Sequence, residues 1–415
     1  MSGDLDGWGG AEFVLAADRL DTPDVIEAAD PSDMLRQVAS AAAQVRTALR
    51  SCQETDLSAF TPDDRPRAIV VAGMGSSALP GEILNAITGP GSPVQIVITQ
   101  EDRLPGWVGA ADAVIAVSAS GTTPETLAIA TEAARRGCRL AGVGAESSPL
   151  HKIAEQARAP FIPVVPAGWS RSMLWAVSIP LLVIAEQLGI VRIGTDVYEL
   201  AASRLEEVSH QCRPASESFV NPGKSLALDL VGALPMVWGT SVLSGVAAHR
   251  FASQLNENAK YPAISGLLSE AAHNQVAALD GPFAPSSSRL SAPAPDEPAL
   301  PPVSEVAGLE DLDAWDLDYT DTEEGETSGF TALRLVLIVD PDQDQRAAAQ
   351  RAAVTDLVAQ RGVGMSELAM DGEHPLVRLA GLIQLADYAS VYLAIASGID
   401  PGQAVAVDDL QSRIE

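Results

Sequence analysis

Apolar residues along this chain occur in two rhythms, short unbroken runs and longer stretches where they return every third or fourth position. The first rhythm marks strands buried on both faces; the second marks helices with one packed side. The runs Pro66–Val71, Val94–Thr99, Ala113–Val117 and Arg139–Val143 predict strands, with a shorter one over Phe161–Pro166. Helical spacing covers Asp33–Leu49, opened by Pro31-Ser32-Asp33, and Gly168–Leu188. Another helix is predicted after Thr123, with Pro124 in its first turn, Glu125 beside it and Gly137 as its stop. After a helical connection at Asp196–Val208 and a polar linker through Pro222-Gly223, the alternation resumes. Strands are predicted at Ala233–Thr240, Leu333–Asp340 and Ser366–Met370, and helices at Leu243–Asn256, Asp342–Gln360 and His374–Ser397.

Strands alternating with helices imply parallel sheets covered on both faces. The expected fold class is α/β, with two doubly wound parallel-sheet domains over 31–200 and 201–415. An acidic arm with one short helix precedes them over 1–30. One stretch breaks the pattern. Phe283–Gly329 is rich in Pro, Ser, Asp and Glu, which predicts a long mobile surface loop, part of it docked by Trp315 and Tyr319.

Charge narrows the choice of partner. The 415 residues carry a formal net charge of -29, which argues against nucleic acid or an anionic membrane as ligand. A phosphate ester could then be held only by local dipoles and one or two placed cations, and the only lysines are Lys152, Lys224 and Lys260. The three cysteines, Cys52, Cys138 and Cys212, have no metal-like spacing and suggest a reducing compartment. No signal peptide is read at the N-terminus, and Trp175–Leu188, the stretch nearest to a membrane span, reads as a core helix. A cytoplasmic protein is expected.

The loop between the Ala113–Val117 strand and its helix concentrates hydroxyls: Ser118, Ser120, Thr122 and Thr123, with Gly121 among them. A helix start offers unpaired N–H groups and a positive dipole end, a natural seat for phosphate. Plain helix capping is the alternative. A second turn, Gly73-Met74-Gly75-Ser76-Ser77, also feeds a helix, but it lacks the third glycine and the acidic residue of a dinucleotide fingerprint. In a doubly wound sheet both loops line the crevice at the strand C-termini. Arg171, at the start of its helix, opposes the helix dipole, which leaves an exposed guanidinium or one aimed at a phosphate. Glu257 and His273, sixteen residues apart among amide side chains, could shuttle protons, though Glu257 with Lys260 could equally be a solvated helix pair. His151, His210, His249 and His374 show no ligand-like spacing, so neither metal nor cofactor is implied.

Taken in order, four motifs resemble the bifunctional phosphoglucose/phosphomannose isomerases, proteins of two SIS (sugar isomerase) domains. They are Gly73–Ser77, the SxSGxTxET pattern at Ser118–Thr126, NENAK at Asn256–Lys260 and AAHNQ at Ala271–Gln275, joined by ADYASVYLAIASGIDP at Ala386–Pro401. The resemblance implies two SIS-type domains and metal-independent isomerisation of glucose 6-phosphate and mannose 6-phosphate with fructose 6-phosphate through a cis-enediol. It implies phosphate binding by Ser77, Ser118, Ser120 and Thr123, substrate contact by Arg171, a base at Glu257 and ring opening by His273 across a homodimer interface. Gly75 and Gln411 are candidate substrate contacts. Gln411 stands where the family presents a lysine on its C-terminal helix, and a neutral amide supplies neither charge nor proton. That departure keeps a second reading open, a non-catalytic sugar-phosphate-binding or regulatory protein.

Overall fold

Each apolar run pairs in parallel with its neighbours, the arrangement that strand–helix–strand connections produce. In the computed structural model, which describes residues 9–285 and 332–414, the first sheet holds β1 (Ala68–Ala72), β2 (Gln95–Thr99), β3 (Ala113–Ser118), β4 (Arg139–Gly144) and β5 (Phe161–Pro163). Its strand order is β2-β1-β3-β4-β5. The connecting helices are α5 (Leu79–Thr88), α6 (Pro124–Arg135) and α7 (Pro149–Ala157). The second sheet, of β6 (Ala233–Gly239), β7 (Ile264–Leu267), β8 (Ala332–Val339) and β9 (Gly364–Ala369), runs β7-β6-β8-β9. It repeats the winding of the first without a fifth strand.

Both faces of both sheets are covered, and the period of two along each strand divides the core. Ile69 and Val71 of β1, Val237 of β6 and Val336 and Ile338 of β8 belong to one common core between the halves. Their neighbours Val70 and Ala72 face α6 and α7 in a second cluster, through Ile129, Ala133 and Leu150. Met236, Trp238, Leu335 and Leu337 form a third with Val354 and Val358 of α13 (Gln345–Gln360). The common core is filled by α4 (Ala41–Glu54), α8 (Leu174–Gln187), α9 (Gly194–Gln211), α10 (Pro222–Leu230), α11 (Val242–Gln254) and α14 (Pro375–Ala396). α14 is apolar and long enough to span a membrane, which the sequence reading assigned to no segment, yet its most apolar 18-residue window is entirely buried. It is a core helix.

Several elements differ from expectation. The arm forms two helices, α1 (Gly9–Asp21) and α2 (Pro23–Ala29), and Leu20 and Ile26 are buried. Lys224, itself buried, donates to the carbonyls of Leu20, Pro214 and Ser216, tying the arm to α10. The expected 33–49 helix is broken at Ser40 into α3 (Met34–Ala39) and α4, and Ser40 Oγ donates to the Gln37 carbonyl at the break. The linker expected through Pro222-Gly223 opens α10, capped by Asn221 accepting from Lys224 N. β7 was not foreseen, nor was α12 (Leu268–Ala271) after it. The 200/201 division falls inside α9, whose Tyr198, Ala201, Leu205 and Val208 join the common core. The Pro- and acid-rich stretch beyond Pro285, with Trp315 and Tyr319, lies outside the described residues.

Candidate active site

β1 and β3 lie side by side, Ala72 opposite Ala116, and the chain leaves them in opposite directions. α5 packs into the common core and α6 into the outer cluster. This reversal is the crevice of a doubly wound sheet. The turn after β1 coils into a 3-10 segment, Gly75–Ser77. Gly73 is required there because a Cβ would sit 2.2 Å from the Ser77 carbonyl oxygen. Gly75 has φ +52 and open space around it. The Ser77 hydroxyl is buried, has no protein partner among the described residues and is not sealed from the crevice.

In the loop after β3, Ser118 Oγ pairs with Thr123 Oγ1 at 2.8 Å and accepts from Gly121 N at 3.0 Å. Ser120 Oγ pairs with Thr122 Oγ1 at 2.9 Å. Thr123 occupies the N-cap position of α6, but its side chain makes no cap hydrogen bond. The hydroxyl is turned to Ser118, which leaves the first N–H groups of the helix without a side-chain acceptor. Plain capping therefore does not explain this loop. The N-terminus of α6 keeps its capacity for an anion.

Arg171 is on a separate 3-10 turn, Ser170–Ser172, rather than in the first turn of α8 as the sequence suggested. This turn packs against the Gly75–Ser77 segment. The guanidinium is 4% exposed. Its Nε donates to Asn258 Oδ1 at 2.8 Å, its Nη2 donates to the carbonyls of Pro401 and Gly402, and it stacks on Trp169 at 4.9 Å. Nη1 has no protein partner among the described residues and is not enclosed. Burial pushes the Arg171 pKa down, opposed mainly by the charge of Glu257.

Glu257 lies on Leu255–Ala259, a single π-helical turn continuing α11. Such turns re-aim side chains and recur at functional sites. The carboxylate is half-buried and makes no protein hydrogen bond among the described residues. The solvated Glu257–Lys260 pair is not formed: Lys260 takes a left-handed φ of 57 and donates to the carbonyls of Asn258 and Asp400. Burial, then the charge of Arg171, lowers its pKa. Asn258, next to Glu257, is fully buried between Arg171 and Ser390.

The structure thus gathers Ser77, Arg171 and Glu257, with Ser118, Ser120 and Thr123 on the neighbouring loop. It does not bring His273 to them within one chain. His273 is exposed after α12, and its ring has no hydrogen-bond partner among the described residues. The adjacent Gln275 is structural, accepting from Trp238 Nε1 at 2.6 Å and donating to the Ser265 carbonyl. Gln411 lies on α15 (Val405–Ile414), but its side chain is outside the described atoms. A cavity of about 620 Å³ lined by Ile26, Asp30, Arg36, His210 and Tyr388 shares no residue with this cluster.

Sequence reasoning missed the buried polar groups behind the site, Arg250, Asn258, Asp387 and Ser390. A signal existed: Asp387 and Ser390 are polar residues one turn apart in a predominantly apolar core helix.

The fold is of the SIS type, an α/β chain with two parallel sheets. Residues 219–414 match the model of the bacterial phospho-glucose isomerase C-terminal SIS domain. A bifunctional phosphoglucose/phosphomannose isomerase of Caldicellulosiruptor bescii is 25% identical over 347 residues, 83% of this chain and 89% of that protein. A protein of the same description from Thermoplasma acidophilum is 24% identical over 83% of this chain and 89% of its own length. A solved structure of a hypothetical protein from Thermus thermophilus superposes with a TM-score of 0.64 at 14% identity, covering 98% of this chain and 94% of that one. Over most of its length the chain is thus similar to bifunctional phosphoglucose/phosphomannose isomerases, and over residues 219–414 to a bacterial phospho-glucose isomerase SIS domain.

Proposed function

We propose that this chain interconverts aldose and ketose hexose 6-phosphates, glucose 6-phosphate or mannose 6-phosphate with fructose 6-phosphate, without metal or cofactor. The observation that carries the reading is one cluster of polar groups of opposite kind without a hydrogen-bond partner among the described residues: the Ser77 hydroxyl, Arg171 Nη1 and the Glu257 carboxylate. The phosphate would be held by Ser77, Ser118, Ser120 and Thr123 at the start of α6, with Gly75 giving the ester close approach to the backbone. Glu257 would take the proton from C2 and return it to C1 through a cis-enediol, while Arg171 steadies the charge that develops on the enediol oxygens. Two of the three guanidinium nitrogens are tied to protein, so the third meets the substrate already oriented, the condition under which electrostatic stabilisation is most effective.

Ring opening is assigned to His273 of the partner subunit in a homodimer. Its support is that His273 is exposed and has no hydrogen-bond partner among the described residues of its own chain. Gln411 would contact the substrate as a neutral hydrogen-bonding group, leaving acid–base work to the imidazole. Three free buried cysteines support a reducing, cytoplasmic setting.

A coupled assay on the three hexose 6-phosphates tests this. Wild type should turn over, and Glu257→Gln should lose about 10²–10⁴-fold in kcat while substrate still raises its melting temperature. Thermal stabilisation of wild type without turnover would instead favour the regulatory reading that Gln411 raises.

A further inference from the structure

The two walls of the site come from different halves of the chain. The serine loops and Arg171 belong to the first, and Glu257 to the second. A sugar phosphate must span them, with its ester on one wall and its reacting carbons at the other. A closed ring of hydrogen bonds ties Arg171, whose turn packs against the Gly75–Ser77 segment, to the turn that carries Glu257. Arg171 Nε donates to Asn258 Oδ1 at 2.8 Å, Asn258 Nδ2 donates to Ser390 Oγ at 2.9 Å, and Ser390 Oγ donates to the Asp387 carbonyl at 2.7 Å. The Asp387 carboxylate accepts from Arg250 Nε and Nη2 at 2.8 and 2.9 Å. Arg250 Nη2 also donates to the Arg171 carbonyl at 2.6 Å, which closes the ring.

None of the five residues is more than 6% exposed. The ring joins the Arg171 turn, the π-turn of Glu257, α11 and α14. Arg171 is gripped at both its guanidinium and its carbonyl, and Asn258 at both ends of its amide. Hydrogen bonds in a low-dielectric interior reinforce one another, and a satisfied buried network is rigid. Nothing in the ring touches the substrate except through Arg171, so Arg250, Asn258, Asp387 and Ser390 are positioning residues.

Resting on the isomerase reading above, we propose that this ring is a ruler: it sets the span from the phosphate loops to Glu257 and so selects six-carbon over five-carbon sugar phosphates. Removing one carbon between the ester and C2 shortens the substrate by at most about 1.5 Å, one carbon–carbon bond. Proton transfer and near-attack geometry tolerate far less, and a misplacement of about 1 Å can cost about 10²-fold in rate. A rigid frame cannot follow the shorter substrate. A loosened one can.

The experiment compares kcat and KM for glucose 6-phosphate and ribose 5-phosphate, which share the configuration at C2, in wild type and Ser390→Ala. Wild type is expected to favour the hexose by about 10²-fold in kcat/KM. Ser390→Ala should lower kcat for the hexose by about tenfold, change its KM little, and reduce the hexose-to-pentose ratio by about tenfold, as the frame loosens. Arg250→Lys, which opens the ring from the opposite side, should reduce the ratio likewise. Ser178→Ala, at an equally buried serine outside the ring, should leave the ratio unchanged. Equal losses on both substrates, or an unaltered ratio in Ser390→Ala, would overturn the ruler while leaving the isomerase reading intact. A wild type inactive on every sugar phosphate would overturn both.

Discussion

The two halves of this protein wind their sheets in the same order and then treat the reversal point in opposite ways. In the first half, hydroxyls at the ends of β1 and β3 are left available, and Thr123 declines to cap α6. At the matching place in the second half, where β6 and β8 lie side by side, Ser241 caps α11 in a full capping box with Ser244. Its Oγ also donates to Asp340 Oδ2 at 2.7 Å. Thr240 Oγ1 accepts from Asp340 N, and buried Arg378 faces Asp340 at 3.4 Å and Asp342 at 2.5 Å. The second half has an anion of its own, a buried carboxylate, where the first is proposed to take the substrate's phosphate. A single fold therefore yields a seat in one copy and a brace in the other. Side chains at the strand ends decide which.

The strongest way to break this comparison is to give the first half the carboxylate of the second. Ser118→Asp places a negative group among Thr123 Oγ1 and Gly121 N, the present partners of the serine oxygen. Like charges brought together cost several kcal/mol, so kcat/KM for a hexose 6-phosphate should fall by about 10³-fold, mostly through KM. An intact melting temperature would show that the loop still folds, and an unchanged KM would mean that the phosphate sits elsewhere. The reverse experiment is Asp340→Ala, which leaves Arg378 and Ser241 short of a buried acceptor. Breaking a buried pair from one side costs about 3 kcal/mol, so the denaturation midpoint should drop while KM stays within about twofold of wild type, since both partners lie outside the proposed site.

How much of this contrast could be read in the sequence follows from what each feature rests on. Strands such as Ala113–Ser118 are apolar on both faces, so pattern alone locates them. The hydroxyl loop was equally legible, because helix-start chemistry is local. The arm was not, since α1 is held by contacts to α10 and α14 more than 190 residues away, Lys224 to the Leu20 carbonyl among them. Arg171 was placed in the first turn of α8 rather than on the 3-10 turn before it, and its long-range partners, Arg250 at its carbonyl and the Pro401 and Gly402 carbonyls at its guanidinium, leave no local signal. β7 is a short edge strand whose Ile264 is half exposed, and it carries little apolar signal. The buried ring behind the site joins residues up to 137 positions apart, and no local pattern encodes such a closure.

A finer test concerns backbone shape in the first half. Gly121 holds φ +69, and a Cβ there would lie 2.1 Å from Ser148 Oγ. Gly121→Ala must shift Ser148, the N-cap of α7 that accepts from His151 N, or unwind the loop. The left-handed conformation alone costs about 1–2 kcal/mol with a side chain, so a destabilisation of about that size is expected, accompanied by a rise in KM. Stability loss with an unaltered KM would separate the loop's folding role from phosphate binding. The second half has no such dependence at its capping box, where Ser241 takes an ordinary extended conformation, φ -139.

The smallest effect is expected at the join of the halves, where His249 of α11 meets Glu82 of α5 at 2.9 Å. The hydrogen bond to Glu82 raises the His249 pKa above its ordinary value of 6.5, against burial and the charge of Arg250. A histidine whose pKa is raised on folding contributes stability that is fully present below its unfolded pKa and is lost as pH rises through the folded value. Wild type should therefore exceed His249→Ala in melting temperature at acidic pH, with the two curves converging above neutrality. The imidazole is half exposed, so screening keeps the gap small, and added salt should narrow it further. A gap that widens with pH would mean that the neutral ring, packed between α5 and α11, joins the halves by contact rather than charge.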